Sequence, residues 1–268
     1  MRNINVLVTA AGGPTAMGIL KCLNGIEGIR LFGAEAQRFA PANTFCEDIF
    51  VVPKVKELDA YKNKICEIVS KNSIDIVFPT LQEEITVYHS FANDIPAFVV
   101  VPESDNFDVL VNKEMLYSYL KGLGFDSILS RYAVFDSCFE LKEIMNTMFR
   151  DEQFVCVKNT TGHGGIGVVI LTDHNTYIDH LRDGKKDVIS VQDYIEADSK
   201  SHRMVTEYLD RAEFSVDLFL SESRVVTAVS RRRKRVSNGV VIDGIVEKNQ
   251  FVLDAAKKIA KEVATDGF

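Results

Sequence analysis

The stretch Phe154–Leu171, FVCVKNTTGHGGIGVVIL, constrains the fold more than any other part of the chain. Phe154, Val155, Cys156 and Val157 have strand character, Lys158 ends that strand, and a second apolar run follows a loop with glycines at 162, 164, 165 and 167. Four glycines in six positions leave backbone N–H groups able to converge on an anion, while the adjacent ammonium supplies a point charge. The same residues also suit a plain glycine-rich hairpin with a snorkelling lysine. The segment is not a Walker loop. In that motif the lysine follows the glycines and opens a helix, whereas here it precedes them and a strand follows.

Length and composition bound what such a hairpin can be built into. A chain of 268 residues with 46% hydrophobic content can bury a sizeable core and is long enough for two domains. Its net charge of −7 argues against a general nucleic-acid binder or membrane-surface protein. Five scattered cysteines without a C-x-x-C pair, mostly in apolar surroundings, read as reduced core thiols rather than a zinc or redox site. The N-terminus lacks the apolar region of a signal peptide, and no apolar run approaches the ~18 residues of a membrane span. The expectation is a cytoplasmic protein with neither nucleic-acid nor membrane partners.

Ahead of the hairpin, Ile4–Val8 reads as a strand, residues 10–14 as a tight turn containing Gly12 and Gly13, and Met17, Ile19, Leu20 and Leu23 as a helix. A dinucleotide site is one reading of that turn, but G-x-G-x-x-G spacing is not met and Ala34-Glu35 is not a firm ribose position. Further strands are expected near Ile49–Val52, Ile74–Phe78 and Phe98–Val101, with helices near Leu58–Ser70 and Gln82–Ser90. That alternation gives a parallel sheet over residues 1–105. Gln82, Glu83 and Glu84 lie past a strand's carboxyl end, where such sheets bind ligands, although acidic residues also suit a helix start. Beyond the crossover, a helix from Lys113 to Leu120 is expected to end at Gly122 and Gly124. Then come a strand at Tyr132–Phe135, a helix at Cys138–Phe149, the hairpin, a helix at Asn175–Leu181 and a strand at Val188–Ile195.

Two later segments carry chemistry. In Met204–Leu220, Glu207-Tyr208-Leu209 precedes a strand in which Glu213, Ser215 and Asp217 alternate with apolar residues, so one face is polar. The run SRRRKRV, Ser230–Val236, places Arg231, Arg233 and Arg235 on one face if it is a strand. Such a row suits phosphate or carboxylate groups, but it also suits a charge-guarded sheet edge or a nucleic-acid patch. From Lys248, Phe251, Val252, Ala255, Ile259 and Val263 mark an amphipathic helix.

The order and spacing of these pieces resemble the ATP-grasp superfamily, in particular its carbamoyl-phosphate-synthase-like and carboxylate–amine ligase branch. VLVTAAGGPTAMGILKCL, FAPANTFCEDIFVVP and IDIVFPTLQEE resemble the pre-ATP-grasp domain, and VNKEMLYSYLKGLGF resembles the segment carrying the first ATP lysine. The resemblance implies an α/β chain, with a Rossmann-like pre-ATP-grasp domain over 1–105 and an incomplete ATP-grasp domain over 106–268 whose lid subdomain spans about 131–205. It implies ATP and Mg2+ as cofactors. Lys113, Lys158, Gly162, Gly164 and Gly165 would hold phosphate, Glu207, Tyr208 and Leu209 would form the adenine hinge, and Glu213 would bind ribose. Lys158, Arg231 and Arg233 would act on the γ-phosphate and acyl phosphate. Small carboxylate and amine substrates are implied, with an acceptor site near Gly12, Gly13 and Glu83. Ile166 stands where many relatives have arginine, and Arg211 where glycine is usual. The E-x-N-P-R-like metal-binding strand is not reached before Phe268, which points to a truncated chain, with a homodimer or a completing subunit as the alternative partners. The rival expectation is a nucleotide-binding regulatory relative that has lost the chemistry.

Overall fold

The computed structural model describes residues 2–37, 41–162, 165–197, 202–237 and 240–267. The chain divides into two compact units. The first comprises residues 1–105 together with 219–226 and 264–268, and the second comprises 106–218 and 227–263.

The first unit runs β1 (Ile4–Thr9), α1 (Pro14–Leu23), β2 (Ile29–Glu35), β3 (Asp48–Val51), α2 (Leu58–Asn72), β4 (Ile76–Phe78), α3 (Gln82–Phe91) and β5 (Phe98–Val99). Its five strands are parallel in the order β3-β2-β1-β4-β5. The central strand shows why: Val6 and Val8 enter one core with Ala16 and Leu20, while Leu7 enters another with Tyr61, Ile65 and Val77. A strand buried on both faces must be apolar at successive positions, as VLV is. β4 and β5 are shorter than the apolar runs that announce them. At the strands' carboxyl ends, Thr9 and Tyr61 donate to the buried Glu84 carboxylate at 2.6 and 2.7 Å. Burial pushes the Glu84 pKa up. Of the acidic residues at the start of α3, Glu84 is therefore a core group and its carboxylate is taken up internally. Gly12 N–H likewise donates to Glu35 at 2.8 Å, so the glycine turn holds a carboxylate of its own unit.

Residues 264–267 belong to this unit because they add short bridges to it. Glu103 pairs with Asp266, and Leu220 with Gly267. Gly267 has φ +99°, and a Cβ there would lie 2.6 Å from the Val101 carbonyl oxygen. Only glycine accepts both conditions.

The second unit holds α4 (Phe107–Val111), α5 (Lys113–Gly122), β6 (Tyr132–Phe135), α6 (Cys138–Thr147), β7 (Phe154–Asn159), β8 (Val169–Thr172), α7 (His174–Arg182), β9 (Ile189–Ser190), α8 (Val191–Glu196) and β10 (Arg203–Glu207). It also carries most of β11 (Phe214–Ser221) and β12 (Arg224–Ser237), then β13 (Val240–Val246) and α9 (Gln250–Val263). One sheet has the order β6-β10-β7-β8-β9 and the other β11-β12-β13. Side-chain caps fix the helix starts: Asn112 for α5, Ser137 for α6, Asp173 for α7 and Ser190 for α8. Each is worth about 1 kcal/mol.

Ser190 also corrects an expectation. Val188–Ile195 is not one strand, because the Ser190 hydroxyl accepts from Asp193 N–H at 3.0 Å and turns the chain into α8 after a two-residue β9. The cap overrides the β propensity of Val191 and Ile195. All five cysteines are free, but only Cys138 is buried and Cys22 is exposed. No helix among the described residues is long and apolar enough to cross a membrane.

Candidate functional site

β7 builds the site. Val155 and Val157 are fully buried in the core beneath α6 and α8 residues, so Phe154, Cys156 and Lys158 share the opposite face. Tyr208, just past β10, packs on the Phe154 ring at 5.9 Å, and Tyr117 of α5 lies 5.8 Å from Lys158 Nζ. The face thus has a hydrophobic end at Tyr208 and a cationic end at Lys158, four residues and about 13 Å apart along the strand. Leu209, largely exposed, extends the hydrophobic end.

Lys113 completes the cationic end. Its own N–H donates to the Thr160 carbonyl at 2.7 Å, and its ammonium donates to the Gly162 carbonyl at 2.9 Å. The start of α5 is thereby seated on the end of β7. Partial burial lowers the Lys113 pKa, and the nearby Lys158 charge lowers it further. Neither lysine is ion-paired to a carboxylate among the described residues. Burial pushes the Cys156 thiol up, against the pull of Lys158.

Gly162, Gly165 and Gly167 all have positive φ. At Gly167 a Cβ would lie 2.4 Å from Asn159 Nδ2, so that side chain fills the space beneath the turn. Gly164 lies outside the described residues.

Glu213, Arg231 and Arg233 form a second group on the three-stranded sheet. Arg231 makes a two-bond pair with Asp217 at 2.8 and 3.0 Å, and Arg233 pairs with Glu213. With Ser215, Asp243 and Gly244 the two arginines line a depression of about 190 Å³. The expected three-arginine face is interrupted. Register shifts flank Arg235, which sits opposite Asp243 rather than continuing the Arg231–Arg233 alternation. A bulge at Lys234 explains it, since one extra residue exchanges the two faces of a strand.

Glu207 has a different surrounding from its neighbours Tyr208 and Leu209. Its carboxylate accepts from Arg131 N–H at 3.0 Å and from Arg131 Nε at 3.3 Å, while Arg131 also bonds Glu152. The side chain fixes the strand end rather than facing Lys158.

Three other side chains meet beside this face without any motif that announces them. His202, just before β10, bonds Glu114 at 2.6 Å through Nε2 and Asp136 at 2.7 Å through Nδ1. These positions are up to 88 residues apart, and no local spacing announces such a group.

Residues 199–268 match the family model "ATP-grasp in the biosynthetic pathway with Ter operon", and residues 6–99 match "PylC-like, N-terminal domain". Residues 199–268 thus carry an ATP-grasp signature. No curated protein matches the chain in sequence. Among solved structures, the chain resembles N5-carboxyaminoimidazole synthetase from Staphylococcus aureus complexed with ADP, at TM-score 0.63 and 12% identity over 98% of this chain and 63% of that one. It also resembles the biotin carboxylase domain of Hydrogenobacter thermophilus 2-oxoglutarate carboxylase, solved with MgADP, ADP and bicarbonate, at TM-score 0.62 and 12% identity over 98% and 58%. L-amino acid ligase from Bacillus licheniformis matches at TM-score 0.59 and 14% identity over 98% and 61%. The chain therefore spans about three fifths of the length of these solved proteins.

Proposed function

We propose that this ATP-grasp chain belongs to an ATP-dependent ligase that joins a small carboxylate to an amine. The observation that carries the reading is the β7 face, with two lysines that have no carboxylate partner among the described residues at one end and the Tyr208–Leu209 corner at the other. An adenine nucleotide laid along the strand places its base on Tyr208 and its phosphates on Lys113, Lys158 and the Gly162–Gly167 turn. Two half-buried ammonium groups near each other cost free energy in the empty protein, and a polyphosphate between them removes that cost.

In the proposed reaction a substrate carboxylate oxygen attacks the γ-phosphorus, the bond to ADP breaks, and an acyl phosphate forms. The amine nitrogen then attacks the carbonyl carbon, its proton is lost to solvent, and inorganic phosphate leaves. Phosphoryl transfer depends on positioning and on neutralising charge spread over the phosphoryl oxygens. Lys158 and Lys113 supply fixed positive charge, and Arg231 and Arg233 add theirs only by loosening from Asp217 and Glu213. Glu213, once released from Arg233, is the proposed ribose acceptor. Magnesium, when bound, would supply further positive charge against the phosphoryl oxygens. Among the described residues no cluster of three or more His, Cys, Asp or Glu side chains could hold a metal ion.

The arginines' existing carboxylate partners favour one alternative, a nucleotide-binding regulatory relative. Calorimetric titration with ADP tests what both share, and release of ADP in the presence of carboxylate and amine mixtures separates them. Absence of ADP binding refutes both, while binding without turnover selects the second.

A further inference from the structure

The two lysines need something to hold them together, and the proposed nucleotide site contains such a brace. Lys158 lies opposite Met204 in the β7–β10 pairing, and His202 is two residues from Met204. Its Nε2 reaches Glu114, the residue next to Lys113, and its Nδ1 reaches Asp136 at the end of β6. His202 therefore joins the strand beside Lys158 to the helix start that carries Lys113, and anchors both to β6.

A ring with carboxylates at both nitrogens donates twice only as imidazolium. The surrounding charges support that state. On α5 they are Glu114 and Lys113, the latter turned to Gly162; at the start of α6, Asp136 with Glu140, which accepts from Asp136 N–H; on β10, Arg203, bonded to Tyr194 of α8. The hydrogen bonds from Glu114 and then Asp136 hold the His202 pKa above the ordinary histidine value. Loss of the proton leaves one N–H for two carboxylates, so either Glu114 or Asp136 loses its donor and the link through His202 is broken.

We propose that His202 is a positioning residue that, as imidazolium, holds Lys113 and Lys158 at the spacing an oligophosphate bridges and lets that spacing relax on deprotonation. The inference rests on the nucleotide reading above. A raised folded-state pKa means the brace is complete below the unfolded histidine value and is lost as pH rises through the folded one. ADP affinity should fall in that window by about five-fold or more, the usual lower bound for coupling between two sites.

The test is ADP titration by calorimetry from about pH 5.5 to about 9, on the unaltered chain, His202→Gln and His202→Lys, with the imidazole followed by NMR. Protonation of ADP itself near about pH 6 is common to all three and cancels in the comparison. The expected result is a falling affinity for the unaltered chain, a uniformly weak and flatter profile for His202→Gln, and partial recovery at high pH for the permanently cationic His202→Lys. An imidazole pKa at or below the ordinary histidine value, or the same pH profile in His202→Gln, overturns the brace while leaving the nucleotide reading standing. No ADP binding by the unaltered chain at any pH overturns the nucleotide reading and the brace with it.

Discussion

Replacing Lys158 with methionine separates a binding lysine from a structural one, because the two roles predict opposite signs. In the empty protein Lys158 has one favourable neighbour, the Tyr117 ring at 5.8 Å, and one unfavourable neighbour, the Lys113 ammonium. A cation over an aromatic face at a partly exposed site is worth about 0.5–1 kcal/mol, and repulsion from Lys113 opposes it. The methionine stem keeps the packing. The net change in folding stability should therefore lie within about 0.5 kcal/mol of zero, a melting shift of no more than about 2 °C for a chain of this size. Binding should respond differently. A charge-assisted bond to phosphate is worth about 2 kcal/mol, which corresponds to roughly thirty-fold in the ADP dissociation constant. The Lys113 amine should also titrate at higher pH in the variant, since one of the two causes that lower it is gone. Calorimetric titration, thermal melting and NMR of the lysine side chains read these three quantities. A fall of several degrees in melting temperature with unchanged ADP affinity would refute the reasoning, and Lys158 would then be a structural residue.

Three further predictions concern other parts of the molecule. Gly167→Ala forces a Cβ into a left-handed turn already filled by Asn159 and should cost about 1–2 kcal/mol, seen as weaker ADP binding and a lower unfolding midpoint; an unchanged midpoint would show that the turn rearranges freely. Tyr61→Phe removes one donor from the buried Glu84 carboxylate and should cost about 1–3 kcal/mol in chemical denaturation. Because the folded state raises the Glu84 pKa, stability should fall as pH rises through that raised value, and Glu84→Gln should flatten this slope. A double-mutant cycle on Arg231 and Asp217, both about two-fifths exposed, should give only about 0.5 kcal/mol of coupling. A value several times larger would mean that the pair is a structural lock that phosphate does not open.

Much of this was legible along the chain. The first unit's sheet follows from apolar runs separated by turn residues, and the β7–β8 hairpin follows from valines on either side of a glycine cluster. The alternation Glu213-Ser215-Asp217 also reads correctly, but its partners do not: nothing local shows that these carboxylates meet Arg231 and Arg233 across the sheet. Misreadings arose where one polar side chain outweighs propensity, as Ser190 does at α8, or where one inserted residue exchanges the faces of a strand, as at Lys234. The Glu114–His202–Asp136 group lay beyond reach for another reason. It joins three segments distant in sequence, and hydrophobic periodicity carries no information about which exposed charges meet.

The bridges made by residues 264–267 set an order on folding during synthesis. The parallel sheet of the first unit has all its strands once residue 99 has been translated, and domains generally fold as units from the N-terminus. Yet Glu103 pairs with Asp266 and Leu220 with Gly267, more than 160 residues after the first of them. The early unit must therefore wait on the ribosome with two sets of backbone groups open, and closes last with a segment made after the whole of the second unit. A nascent chain released before Gly267 should keep the sheet and leave the Leu220 and Glu103 amides exchanging with solvent.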